Sequence, residues 1–457
     1  MHPPFFHKFE EDVVKKLHGK VGLKLTSRPL LAACVAGLLA CLVLAPEMVI
    51  SGVKIAFFLA PLWLPVLILS GAYDMWYRYK RSYFLANQKY VLLEIKPPRN
   101  VIKTPAAMEA FLSSLHLTGG ESTWYDRFRG GVRPFWSLEV ASFEGQVHFF
   151  LWIRASLRRM VESQMYAQYP GVQLIESPDY TRLISAKQGE WFVWGTGYVK
   201  APNDDPYPIK TYVDFGLDKV QKEPEQVDPI SQLVEFMGSI GKGEYLWLQM
   251  VIRAHKGEKY DKTKDNGKPY TWLDKGAEIV DAIRKKTRAP YADPVTGEER
   301  PGFPNPTKGE SEKMAAIERH TMKLAFDVGM KCIYLAKPDK VHGPTIAHMI
   351  GLFKPFSQEG WNGINSAKWM KTFDDYPWEI GVEKRKARFK MELVEAYRRR
   401  QAFYDPYFEG DVPREKVMVL SSEELATIFH IPSLSTQAPG LERTASATGE
   451  APLNLPV

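Results

Sequence analysis

The sequence predicts an α+β protein in which a two-helix transmembrane hairpin, residues 30–73, is followed by ferredoxin-like α/β sandwich domains. Three observations predict it. Two apolar runs, Leu30–Ile50 and Ile55–Tyr73, each approach the ~20 residues a helix needs to cross a bilayer, and only Ser51–Lys54 separates them. Beyond them, strand and helix signals follow the order β-α-β-β-α-β between residues 90 and 175. Cys34, Cys41 and Cys332 are the only cysteines in 457 residues, which excludes a disulfide scaffold and a multi-cysteine metal cluster and fits a reducing compartment.

Residues 1–29 form a basic lead. Phe9, Val13, Val14 and Leu17 recur there at helical spacing beside lysines, the pattern of a helix lying on an anionic leaflet. The short link between the apolar runs predicts an antiparallel hairpin with both chain ends on one side. Lys15, Lys16, Lys20, Lys24 and Arg28 precede it, and Arg78, Lys80, Arg81 and Lys89 follow it, whereas the tip offers Lys54 alone. The positive-inside rule therefore predicts a two-pass protein of the inner (plasma) membrane with both termini cytoplasmic. Pro61 and Pro65 predict a kinked second helix, and Trp63, Tyr73, Trp76 and Tyr77 are suited to interfacial anchoring.

The first α+β domain is expected over 83–181. Tyr90–Ile95 reads as a strand stopped by Pro97-Pro98, and Thr104-Pro105 opens a helix with Met108, Phe111, Leu112 and Leu115 on one face. Phe135–Ser142 and Gln146–Arg154 read as a hairpin around Glu144-Gly145. Leu157–Gln168 is helical, and Val172–Ile175 returns as a strand. Val147, Phe149 and Leu151 alternate with His148, Phe150 and Trp152, so both faces of that strand are expected to be covered.

A second α+β domain is expected over 190–431, with an inserted loop at 255–310. Trp191–Val199, Ile209–Phe215, Tyr245–Arg253 and Gly329–Ala336 read as strands, and Pro229–Met237, Trp272–Thr287, Lys313–Ala325 and Thr345–Phe353 as helices. Ala289–Lys308, rich in Pro and Gly without apolar period, reads as a mobile loop. Glu383–Phe403 is a charged helix with Phe389, Leu393, Ala396 and Tyr397 on a narrow apolar face. Val417–Leu420 is a strand, and Ser421 with Glu424 fits a capping box. Residues 432–457, rich in Ser, Thr, Pro and Gly, read as a disordered tail. No internal repeat is visible.

Chemistry is sparse. Gly238–Gly243 is the nearest piece to a phosphate loop, but it lacks the spacing, has Gly243 where Ser or Thr belongs, and precedes a strand. His342 and His348 are six residues apart across Gly343-Pro344, unlike a metal pair on one helix face. Cys332 lies in an apolar strand, and Asp204-Asp205 and Asp374-Asp375 read as solvated loop acids. The sequence thus offers no catalytic, cofactor-binding or metal-ligating residue, and no cofactor is expected.

Two basic features remain. Trp124–Gly131 interleaves rings with Arg127 and Arg129, a mix that grips phosphate or stacks on bases. Glu383–Gln401 sets eight Lys/Arg against three Glu, a large part of the net charge of +7, and it carries Arg398, Arg399 and Arg400. These five arginines are the candidate nucleic-acid or partner surface.

A resemblance adds to this. Ser137–Val140, Val147–Phe150, Val161–Gln164, Tyr166–Pro170, Gly302–Pro304, Ile333–Ala336 and Glu423–His430 fall in an order that resembles a family of uncharacterised bacterial membrane proteins. Its domain also precedes the motor of conjugation-type, type IV secretion-like ATPases. The similarity covers residues 83–457 and brings no catalytic residue and no phosphate loop with it. It implies a non-catalytic, membrane-anchored component of a DNA-transfer or secretion-like machine. The expected partners are membrane lipids, a separate P-loop ATPase, DNA and further copies of the chain. The alternative is a structural protein of the cell envelope with neither motor nor nucleic acid.

Overall fold

The computed structural model describes residues 36–37, 39–40, 42–98, 103–121, 123–184, 189–218, 228–256, 270–292, 299–367, 381–404, 412 and 416–432. The lead 1–29 and the tail beyond Pro432 lie outside them. The chain divides into two compact units. One holds Met1–Leu85, Trp124–Gly131 and Pro406–Glu409, and the other holds Ala86–Thr123, Val132–Asp405 and Gly410–Val457.

The main helices, in chain order, are α1 (Pro46–Phe58), α2 (Ala60–Ala86), α3 (Pro105–Ser114), α4 (Trp124–Phe128), α5 (Arg158–Gln168) and α6 (Pro229–Gly238). They continue with α7 (Trp272–Lys286), α8 (Lys308–Thr321), α9 (Gly343–Gly351), α10 (Val382–Arg398) and α11 (Ser422–Ile428). The strands are β1 (Tyr90–Lys96), β2 (Phe135–Phe143), β3 (Gln146–Arg154), β4 (Gln173–Ser177), β5 (Phe192–Ala201) and β6 (Glu244–Ala254). After them come β7 (Arg288–Ala292), β8 (Glu299–Pro304), β9 (Ala325–Ala336), β10 (Gly363–Ala367) and β11 (Met418–Ser421).

In the first unit Pro46 opens α1, where its missing N–H leaves no bond unmade. Residues 51–54, expected as the tip of a hairpin, are helical within α1. The break comes at Leu59, where α1 and α2 meet at 67°. Pro61 explains the shift, because its ring and missing N–H interrupt the ladder, whereas Gly52 alone costs a helix only about 1 kcal/mol. Among the described residues no single helix is long and apolar enough to cross a membrane, and α1 with α2 meets that measure only as a bent pair. α4 belongs to the same unit. The Phe128 ring lies 6.4 Å from that of Trp76. Gly130, at φ +78°, permits a close approach, since a Cβ there would meet the Lys80 carbonyl carbon at 2.5 Å.

The second unit is mixed α+β around one large sheet. Eight strands run β4-β1-β3-β2-β6-β9-β5-β10, and β11 pairs with β9 as a ninth. Every pairing is antiparallel. The first half stands in the order fourth, first, third, second strand. β5, β6, β9 and β10 repeat that order on the other side. The two halves meet where β2 pairs with β6, in a register that sets Glu139 opposite Gln249.

Alternation along the strands gives the sheet two apolar faces. Phe149 joins Phe111 of α3, Met165 of α5, Leu233 of α6, Met349 of α9 and Leu425 of α11 in one core. Phe150 joins Trp247, Ile333 and Leu335 on the opposite face, beneath Phe389, Leu393 and Tyr397 of α10. Burying a side chain of this size contributes about 1.5–3 kcal/mol. Both faces of β3 are therefore covered, as its sequence implies.

Two expectations fail, and one strand is unexpected. Ile209–Phe215 is not a strand but leads into turns, because Thr211 donates its N–H to the Asp214 carboxylate at 2.9 Å and folds the backbone on itself. Ala289–Lys308 contains the antiparallel pair β7–β8, a two-stranded ribbon in which Pro290 faces Pro301. β10 is an edge strand with no signal beyond Ile364. The insertion between β6 and β9 also holds α7 and α8, packed through Ile279, Val280, Met314 and Ile317. α8 begins at Lys308, earlier than its apolar period suggests, because Thr307 and Glu310 close a capping box.

Candidate functional site

The three consecutive arginines at the end of α10 are the best-defined of the candidate residues. α10 closes in a Schellman pattern: Arg400 N–H donates to Tyr397 O at 3.0 Å and Gln401 N–H to Ala396 O at 3.2 Å. This puts Arg400 at φ +48°, a left-handed conformation normally left to Gly or Asn. Its guanidinium holds it there. Arg400 Nε donates to Glu139 Oε1 at 3.0 Å, and Nη1 and Nη2 reach the Asp179 carboxylate at 2.5 and 3.1 Å.

Glu139 is fully buried in mid-strand. It also accepts from Gln249 Nε2 at 3.0 Å and from the Tyr180 hydroxyl at 2.7 Å, and Tyr180 in turn meets the Tyr397 hydroxyl at 3.1 Å. Burial opposes the charge of Arg400, but Glu139 and Asp179 outweigh it and push its pKa up. Burial, then Glu139, raises both Tyr180 and Tyr397 well above the usual phenol. For Asp179, burial acts upward, yet Arg400 and Thr181 hold the carboxyl below its ordinary value. Glu139, Gln249 and Lys331 face one another across β2, β6 and β9, and Lys331 Nζ donates to Gln401 O at 2.5 Å. A polar row thus crosses the seam of the sheet under the end of α10.

Arg398 and Arg399 differ from Arg400. Arg398 Nε donates to Thr181 O at 2.9 Å, and its other nitrogens donate to Ile184 O and Glu395. It fastens the turn Tyr180–Ile184 to α10. Arg399 is exposed and lines an open cleft of about 480 Å³ with Asp179, Thr181, Arg182, Ile184, Glu395 and Arg398. The expectation that all three arginines form a surface is therefore corrected: Arg400 is buried, Arg398 is half-buried, and Arg399 alone faces solvent. Successive helix residues point about 100° apart, so three in a row cannot share one face.

A second polar cluster surrounds α11, all of whose residues are buried. Glu424 Oε1 meets Lys200 Nζ at 2.6 Å and accepts from Ile209 N–H at 3.0 Å, while Oε2 accepts from Ser421 N–H at 2.8 Å. Burial raises the Glu424 pKa, with Lys200 pulling the other way. Glu423 lies 2.7 Å from Lys323 and 3.2 Å from Arg319, and it accepts from Thr211 at 2.6 Å. His320 approaches Ser421 Oγ at 2.8 Å, and burial, then Lys200, Arg319 and Lys323, holds its pKa far down. His430 Nε2 lies 3.0 Å from Asp228; burial lowers its pKa, but Asp228 outweighs burial and raises it. Glu423–His430, singled out in the sequence as a block, is thus a buried polar key.

The remaining candidates resolve as follows. Arg129 is exposed, its guanidinium 4.4 Å from the Tyr125 ring, and the Arg127 side chain lies outside the described residues. Gly238–Gly243 joins α6 to β6, with Gly241 N–H donating to Glu244 at 2.6 Å and Gly243 N–H to Glu144 at 3.0 Å. A phosphate there would meet two carboxylates. His342 contacts Thr345 at 3.0 Å, whereas His348 stacks on Phe236 at 4.1 Å, so the pair shares no ligand position. Cys332 is buried, and burial pushes its thiol up. Asp204 pairs with Lys275 at 3.3 Å, and Asp374-Asp375 lies outside the described residues. Among the described residues no group of three or more His, Cys, Asp or Glu is placed to hold a metal ion.

Sequence reasoning missed Glu139, Gln249, Asp179 and Tyr180. A signal was present: Glu139 and Gln249 interrupt strands that are otherwise apolar at their centres.

These features define an α+β protein with one double-faced antiparallel sheet and a separate apolar helix pair. The model of a domain family of unknown function, DUF8128, matches residues 83–444, and the chain belongs to that family. No curated protein matches it.

Proposed function

We propose that this chain is a membrane-anchored, non-catalytic component of a DNA-transfer or type IV secretion-like machine that docks a separate P-loop ATPase on its cytoplasmic α+β body. One observation carries the anchoring. Met48, Phe57, Phe58, Leu62, Val66 and Leu69 of α1 and α2 are each at least 67% exposed, and an apolar array of this size calls for an apolar solvent. The basic flanks support insertion of residues 30–73 with both ends cytoplasmic. The docking and transfer parts rest on the sequence resemblance. Residues 90–177 and 192–367 are read as two ferredoxin-like units fused through β2 and β6; the repeated strand order supports this.

The test is capture of the tagged full-length chain from native membranes in mild detergent. Recovery of a hexameric P-loop ATPase is expected. Its consistent absence sinks the docking proposal. A second reading, a structural envelope protein without motor or nucleic acid, is favoured by the internal use of Arg398 and Arg400, which leaves Arg399 alone among the three to meet DNA.

A further inference from the structure

We propose that the end of α2, Tyr73–Tyr83, and the segment Trp124–Gly131 together form a binding site for the headgroups of anionic phospholipids. This rests on the membrane reading above and reassigns Arg129 from nucleic acid to lipid. The chemistry of α2 changes at Tyr73. Before it lies the exposed apolar run; after it, Tyr73, Trp76, Tyr79 and Tyr83 are 43–58% exposed. Tyr and Trp at the end of an apolar helix sit at headgroup level, with ring in hydrocarbon and polar edge in water.

The cations are held on these rings. Lys80 Nζ lies 4.6 Å from the Trp76 ring, the Arg81 guanidinium 4.1 Å from Tyr77, and that of Arg129 4.4 Å from Tyr125. A guanidinium on a ring keeps the planar fork that matches two phosphate oxygens, and Arg129, which is exposed, is the one placed to use it.

Trp124–Gly131 is distant in sequence yet belongs to this unit. The Phe128–Trp76 contact and the close approach of Gly130 to the Lys80 carbonyl fasten it to α2. Residues 73–85 and 123–131 hold five Lys/Arg against Asp74 and Asp126, and Asp74 is engaged by Arg78 at 2.9 Å. The excess charge is positive, and it lies beside the apolar run. A polynucleotide on these cations would meet that run; a bilayer matches both.

Full-length protein in mild detergent is titrated with micelles carrying phosphatidylglycerol or phosphatidylcholine, and separately with a single-stranded DNA oligonucleotide. Phosphatidylglycerol is expected to bind more tightly than phosphatidylcholine. Arg129→Ala should weaken it about fivefold, and Arg129→Lys, which keeps the charge but loses the fork, should recover only part of it. An unchanged thermal transition of each variant shows that folding is intact. Equal binding of the two lipids, or an Arg129→Ala variant that binds like wild type, overturns the proposal. So does DNA binding that depends on Arg129 while phosphatidylglycerol binding does not. Alkaline carbonate extraction separates the two levels. Release of wild type from membranes fails the membrane reading and this site with it, whereas retention without lipid preference fails the headgroup site alone.

Discussion

Arg400 holds a left-handed backbone position beneath α10 with its guanidinium between Glu139 and Asp179. Replacing it by Ala leaves Glu139 buried with its main cation gone. Arg400→Ala should destabilise the chain by about 3–5 kcal/mol, the usual cost of breaking a buried pair. Arg399→Ala, on the exposed side, should stay within about 0.5 kcal/mol. Urea unfolding of both variants checks this, and equal effects would contradict the division of labour. The step of about 100° between helix residues requires at least one of the three to turn toward the apolar stripe of Leu393, Ala396 and Tyr397, but it does not say which. What separates them is the helix end and the carboxylates that β2 and the turn after β4 bring under it.

The His430–Asp228 pair makes a pH prediction. The folded pKa of His430 lies above its ordinary value of about 6.5, so the pair stabilises fully below that pH and its contribution fades as pH rises through the folded value. His320, with its pKa held down, acts oppositely: its contribution is complete above about 6.5 and is lost as pH falls. The two overlap in wild type. The difference between wild type and His430→Gln isolates the first, and that difference should shrink as pH rises from 6 to 8. A difference that grows would contradict the assignment.

At the scale of elements, what was legible depended on period and punctuation. β2, β3 and α5 match their sequence signals nearly residue for residue, since alternation and the Glu144-Gly145 turn leave one reading. Phe149→Asp should abolish cooperative unfolding, because it buries an unpaired charge at a site 2% exposed. Turns made by side chains, as at Thr211–Asp214, and prolines in a two-stranded ribbon, as in β7–β8, defeat periodicity. The insertion offers a separate test. A Cβ at Gly276 of α7 would lie 2.4 Å from Thr321 Cγ2 of α8. Gly276→Ala should cost about 1–3 kcal/mol, and Thr321→Ser in the same chain should recover part of it. Additive losses would mean that the helices do not touch there.

The whole molecule joins features of unequal legibility. The apolar runs were plain in composition, but the position of the break was decided by Pro61 rather than by Ser51–Lys54. The repeated strand order left no trace in sequence, because strands that keep only an apolar alternation need share no residues. The central claim is that the apolar segment is inserted in the membrane with the α+β body on the cytoplasmic side. Impermeant thiol labelling of intact cells tests it most directly, in a chain whose Cys34, Cys41 and Cys332 are replaced by Ser. Leu59→Cys, at the break between α1 and α2, should be labelled from outside, and Ser435→Cys only after the cells are opened. Labelling of Ser435→Cys in intact cells with Leu59→Cys protected would contradict the account.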